Sequence, residues 1–253
     1  MAETEETENL WWATPRFLMS AVAVLLLIIV GIILFVWVGN DDESDAAPPA
    51  QTQAATPTPS ATVASSDESV CGLDATGGTT LTAAPEDVEW EFIGGIAAPK
   101  SAEHGPGVVD EQTGVRSCYS HTPEGALLAV AGQAASSGDP ELYLETVRTL
   151  SVDGRGKDVT IERAQRSISE GGTNPPIEIA GFRLLSYTGD EATVEIVASA
   201  DSGAELVYFT SSAVMQWIDG DWYTKYKDDG SSGPVDGQVS DLSGYVLWGP
   251  SVG

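Results

Sequence analysis

From Phe17 to Val38 the chain reads FLMSAVAVLLLIIVGIILFVWV, 22 residues without a charge. At about 1.5 Å of rise per residue, a helix of that length covers roughly 30 Å, the thickness of a bilayer's hydrocarbon layer. The pattern therefore predicts a transmembrane helix over residues 17–38. Trp11, Trp12 and Arg16 precede it, and Trp37, Asn40, Asp41 and Asp42 close it, matching rings that prefer the interface and charges that stay out of lipid. Ser20 and Gly31 form no small-xxx-small pair. A cleaved signal peptide is the competing reading, but its apolar core spans only about 7–15 residues behind a basic leader. Residues 1–16 instead carry four Glu and one Arg, so an uncleaved signal anchor fits better. Residues 39–70 are an Ala/Pro/Thr/Ser tract with too little apolar area to offset ordering entropy, and they read as a flexible linker.

The remaining stretch, residues 71–253, changes period twice. VEWEFIGGI at 88–96 alternates apolar and acidic positions and predicts one short strand, and Gly, Pro and charge make 100–114 a loop. Thr122, Pro123 and Glu124 have the chemistry of a helix start: a capping hydroxyl, a preset φ and a carboxylate at the favourable end of the dipole. A helix through Ser136 follows, with Leu127, Leu128, Val130 and Ala131 buried and Ala126, Ala129, Gly132 and Ala135 allowing close approach. Asp139, Pro140 and Glu141 repeat the signal for a second helix through Leu150, and a third is expected from Val159 to Ile168. Period 2 then takes over in strands at 177–187, 191–200, 205–218 and 221–227, with a break expected near Ser211 and Ser212. Ala192, Val194, Ile196 and Ala198 share one parity, and Asp219-Gly220 makes a two-residue hairpin turn. Residues 228–244 have the composition of a mobile loop, and Tyr245–Trp248 is either a last edge strand or an exposed docking peptide.

Charge narrows the partners. Eleven Lys and Arg oppose 38 Asp and Glu, a formal −27; ten of the basic and 28 of the acidic residues lie at or beyond Cys71, leaving −18 there. Such a surface repels phosphate backbones and anionic headgroups, which argues against direct nucleic-acid binding. The two cysteines, Cys71 and Cys118, have no His or Asp at metal-ligand spacing and suit a single disulfide in an oxidising space, with two unrelated thiols as the other reading. Together with the linker, they favour an N-terminus inside the cell and an extracellular domain on a single-pass anchor.

Little in the sequence points to catalysis. His104 sits in a loop and His121 just before a helix start, where surface or capping roles suffice. The glycine pairs lack phosphate-loop spacing. Neither Asp41, Asp42, Glu43 and Asp45 nor Asp219, Asp221, Asp228 and Asp229 form a calcium loop. No catalytic, cofactor-binding or metal residue is assigned.

The segments ALLAVAGQAAS and PELYLETVRTL, then GFRLLSYTGDEATVEIVAS and AVMQWIDGDWYTKY, resemble the helices, strands and final hairpin of the cystatin-like, cone-shaped NTF2-like fold. With an N-terminal membrane helix they resemble the VirB8-like components of bacterial conjugation machinery. The run RSCYSHTPEGALLA is similar to actinobacterial membrane-anchored proteins associated with mobile elements. The resemblance covers about residues 118–227. It implies an α+β domain with three helices on a curved antiparallel sheet, and a noncatalytic scaffold of a conjugation or type IV secretion-like apparatus. It also implies membrane subunits and further copies as partners, with no cofactor. Since NTF2-like hydratases and isomerases place Asp, His or Tyr inside the cone mouth, the resemblance makes Asp139, Tyr143, Tyr187 and Tyr208 conceivable pocket residues that no constellation ties together. Tyr208, Phe209, Trp217 and Trp222 are the expected interface. The alternative is an envelope ligand- or protein-binding module with an NTF2-like pocket, unconnected to DNA transfer.

Overall fold

Gly94 and Gly95, both at positive φ (+54° and +97°), turn the chain back on itself where one strand was expected. The computed structural model, which describes residues 68–251 apart from 173–175, 202, 204 and 235, thus opens with a hairpin of β1 (Glu89–Ile93) and β2 (Ile96–Lys100). The expected loop at 100–114 contains β3 (Val108–Val109), paired with β4 (Arg116–Ser117). The chain divides into two units at Ser60 and Ala61, and every described residue belongs to the second.

The helices start where capping chemistry places them. Thr122 Oγ1 accepts the Gly125 N–H at 3.0 Å before α1 (Pro123–Ser136), and Asp139 Oδ1 accepts those of Glu141 and Leu142 before α2 (Pro140–Thr149). α3 (Arg155–Ser169) begins earlier than Val159, at a Gly154 N-cap that makes no side-chain bond. Gly156 in its first turn lies so close to the Tyr226 and Lys227 carbonyls that a Cβ there would meet their oxygens at 2.6 and 2.3 Å. Its lack of a side chain lets the helix approach that loop.

β5 (Glu178–Tyr187), β6 (Glu191–Asp201), β7 (Leu206–Ile218) and β8 (Asp221–Thr224) form an antiparallel meander; β9 (Asp236–Val239) pairs with the first part of β7, and β10 (Val246–Leu247) with β5. The β6–β7 register runs through Ser211 and Ser212 without a break; the irregularities fall in β5 instead, between Ile179 and Gly181 and between Leu184 and Ser186. Residues expected to form a mobile loop supply β9. The tail is packed: Trp248 is 4% exposed and lies 4.9 Å from Trp90 and 5.7 Å from Phe182, ring centre to ring centre.

Helix α1 is buried almost all round, with Leu127, Leu128, Ala129 and Ala131 against a core that includes Phe182, Val194, Met215 and Trp222. Strand β6 is also buried on both faces. Its even residues meet the core. On the odd side, the fully buried Glu195 accepts from Arg183 Nε (2.9 Å) and Nη2 (2.7 Å) and from the Tyr245 hydroxyl (2.9 Å), with the guanidinium 4.3 Å over the Tyr245 ring.

Several expectations are corrected here. The sheet is open, with β10 and β8 at its ends, and does not close into the curved NTF2-like cone. The anticipated membrane span at 17–38 and the linker up to residue 67 lie outside the described residues; among those described, no helix is long and apolar enough to cross a membrane. The VirB8-like resemblance and the single-pass, membrane-anchored topology with an extracellular domain have no support in this fold. The same holds for bilayer and membrane-subunit partners and for the conjugation or secretion scaffold. All are set aside.

Candidate functional site

The space between α1 and the sheet is closed at one end and open at the other. At the closed end, Cys71 and Cys118 form a disulfide with Cα atoms 6.1 Å apart, as expected. Cys118 holds a positive φ of +63°. The buried Asp221 carboxylate fixes this segment by accepting the backbone N–H groups of Cys118 (2.6 Å), Tyr119 (3.1 Å) and Trp222 (2.8 Å). Burial raises the Asp221 pKa, and the three N–H donors oppose that rise. Trp222 donates its indole N–H to the Ser120 carbonyl at 2.9 Å. His121 stacks on Trp217 at 4.0 Å and pairs its Nε2 with the Gly189 carbonyl at 2.9 Å, and Tyr187 donates its hydroxyl to the His121 carbonyl.

At the other end of α1 the same two layers leave a cavity of about 320 Å³. Ile179, Ile196, Ala198, Phe209 and Ala213 of the sheet form one wall, and Val130, Ala134 and Val147 of the helices the other. Ala134 on one wall and Ala198 and Ala213 on the other are short, and the volume they do not fill remains open. Its polar margin comes from Gln133, Tyr143, Thr146, Ser211, Ser212, Thr224 and Tyr226. Thr224 donates its hydroxyl to the Gln133 side-chain carbonyl, which ties β8 to α1. Residues 225–234 shape the remaining side. Lys227 donates from its backbone N–H to the Ser231 carbonyl and from Nζ to that of Gly233, both at 2.8 Å. Val214 N–H donates to the Ser232 carbonyl at 2.7 Å.

Burial pushes the phenols of Tyr143 and Tyr226 up, Tyr226 well above its ordinary value, with the neighbouring Tyr143 adding to the rise. Both therefore stay protonated across the physiological range and act as neutral hydrogen-bonding groups. Asp236, the first residue of β9, is the one carboxylate among the lining residues, and none of them is Lys, Arg or His. Its Oδ1 accepts the Ser212 N–H at 3.3 Å.

The residues singled out from sequence are scattered by the fold. Tyr143 lines the cavity and Phe209 reaches it from β7, whereas Tyr208, next along the strand, pairs opposite Val239 and points to the other face. Trp222 is fully buried and Trp217 is stacked on His121. Tyr187 belongs to the closed end, and Asp139 is spent on capping α2. His104 faces Ser120, Nδ1 to Oγ 3.2 Å. Asp221 is bound to backbone, Asp229 accepts from Ser231, and among the described residues no group of three His, Cys, Asp or Glu is placed to hold a metal ion. Asp41, Asp42, Glu43 and Asp45 lie outside the described residues.

Sequence reasoning missed Gln133, Thr224, Tyr226 and Asp236. The available signal was the short side chains Ser211 and Ala213 on one parity of β7, with Ala198 of β6 on the same face, opposite Phe209. It marks where a sheet face holds too little volume to meet a helix.

No curated protein and no solved structure matches the chain. A family model does match residues 48–247, well over half of its length, and the chain belongs to that family, described as Domain of unknown function (DUF8175).

Proposed function

We propose that the region beyond the disulfide is a binding module that holds a small, largely apolar molecule in the cavity and does not transform it. The observation that carries this reading is the cavity itself. Its volume of about 320 Å³ stands at the lower end of the roughly 300–1,000 Å³ occupied by ligand clefts. It has an apolar floor and a few polar groups gathered on one margin, the arrangement that buries a ligand's body while orienting one end. Turnover is left out of the proposal because the lining offers no imidazole, thiol or amine to move a proton or form a bond.

Titration with Nile red, a neutral dye whose fluorescence rises in apolar surroundings, tests the reading. Saturable binding at one site per chain is expected, and it is lost in Ala134→Phe, which fills the cavity from α1. Absence of saturable binding, or equal binding by the filled variant, contradicts the proposal.

A further inference from the structure

Among the described residues that line the cavity, Asp236 carries the one charged side chain; behind the 225–234 segment, Lys227 Nζ is held on the Gly233 carbonyl at 2.8 Å and the Arg163 guanidinium lies against Gly230. Asp236 has one hydrogen-bond donor, the Ser212 N–H, and appears in none of the ion pairs among the described residues. It is exposed, so its carboxylate stands at the mouth. No lining residue carries positive charge, while Tyr143, Phe209 and Tyr226 contribute aromatic rings to the wall. The residues from Cys71 onward add a net −18 around it. A carboxylate or phosphate entering this space would lose water and meet Asp236 with no cation on the described lining itself, which is unfavourable for a buried ion. A monocation with an apolar tail meets the opposite conditions. Its tail replaces water against Ile196, Val130 and Ala213, and its head remains partly hydrated beside Asp236. Aromatic faces attract a cation as well.

We infer that the cavity selects amphiphilic monocations, molecules with an apolar body and a single amine or quaternary ammonium head, and that Asp236 is the residue that sets this preference. The inference rests on the ligand-binding reading above and names the class of ligand for the same site. The head is held by a rim carboxylate open to solvent, so the preference is modest. Exposed ion pairs contribute about 0.2–1 kcal/mol, which gives an advantage of about 1.4-fold to fivefold over a neutral head on the same tail.

The experiment displaces Nile red from the intact chain with decylammonium, 1-decanol and decanoate, each below its micelle range, at neutral pH. The expected order of potency is decylammonium, then 1-decanol, with decanoate weakest. The advantage of the ammonium over the alcohol shrinks on raising salt, because the pair is exposed. In Asp236→Asn, which keeps an acceptor for the Ser212 N–H, the ratio of decylammonium to 1-decanol potency falls to about one, with the urea midpoint of the variant reporting that it is folded. The wild-type order tests the inference independently of any variant. If 1-decanol or decanoate matches or exceeds decylammonium, or if Asp236→Asn preserves the ammonium advantage, the charge selection is wrong although the cavity binds. If neither the dye nor any of the three amphiphiles binds, the ligand-binding reading fails and this inference fails with it.

Discussion

The two ends of helix α1 face the same sheet across the same layer spacing, yet one end is sealed and the other hollow. At the sealed end Tyr119, Trp217, Trp222 and His121 interlock, the Asp221 carboxylate gathers three backbone N–H groups, and a disulfide ties the arm down. At the hollow end Ala134 of the helix and Ala198, Ser211 and Ala213 of the sheet line the gap, and about 320 Å³ is left. Side-chain volume separates the two. The lesson is that stability and binding have been placed at opposite ends of one helix: dense packing that transmits strain at one, and a space kept open at the other.

Breaking the sealed end carries the largest expected effect. Trp222→Ala removes a fully buried ring and the bond to the Ser120 carbonyl, and a loss of about 3–5 kcal/mol in urea unfolding is expected. A loss below about 1 kcal/mol would show that this end is not the anchor. Replacing both Cys71 and Cys118 by Ser, or reducing the bridge, is expected to cost about 2–5 kcal/mol. Dye binding should persist wherever the protein remains folded, because the bridge lies away from the cavity.

High pH tests both ends together. Burial raises the phenols of Tyr119, Tyr143, Tyr187 and Tyr226, and Tyr187 is pushed up to about 12, with the charge of Glu124 adding to it. An unfolded tyrosine releases its proton near pH 10. Above that point the native state holds protons that the unfolded chain has given up. The stability due to these groups is therefore complete below about pH 10 and falls as pH rises toward the raised native values. The urea midpoint should hold level up to about pH 9 and drop from about pH 10 toward about pH 12, the window between the free phenol and the raised native value of Tyr187. Tyr226→Phe should flatten the drop from the cavity side and Tyr119→Phe from the sealed side. A midpoint independent of pH would contradict the burial of these rings.

The smallest stability effect belongs to the hollow end. Ala134→Phe should shift unfolding by no more than about 1 kcal/mol, since the added ring enters empty space. Ala126→Phe, at a fully buried position of the same helix, should cost about 1–3 kcal/mol or more through overpacking. Equal costs at the two sites would erase the distinction drawn between the ends.

Much of this organisation was legible before the structure, and the reasons are local. Thr122-Pro123 and Asp139-Pro140 announce α1 and α2 because capping depends on residues adjacent in sequence, and Asp219-Gly220 announces its hairpin for the same reason. The disulfide could be expected because only two cysteines are present. What stayed hidden depends on distant partners. Gly94-Gly95 reads equally as a strand end or a turn until β2 is seen to fold back. Residues 236–239 look like loop because their pairing partner, the first half of β7, lies far away in sequence. The burial of Glu195 depends on Arg183 and Tyr245, which reach it from other strands. The cavity was hidden most deeply, being a shortage of volume summed over several elements; of its residues, Tyr143 was weighed for a pocket and Tyr226 was not.

Amide chemical-shift mapping of the intact chain titrated with Nile red is the most direct test of the division between a sealed and a binding end. The account predicts saturable shifts at Ala134, Val147, Ala198, Ala213 and Tyr226, with Tyr119, His121 and Trp222 unmoved. Shifts centred on the aromatic end, or spread over the surface without saturation, would contradict it.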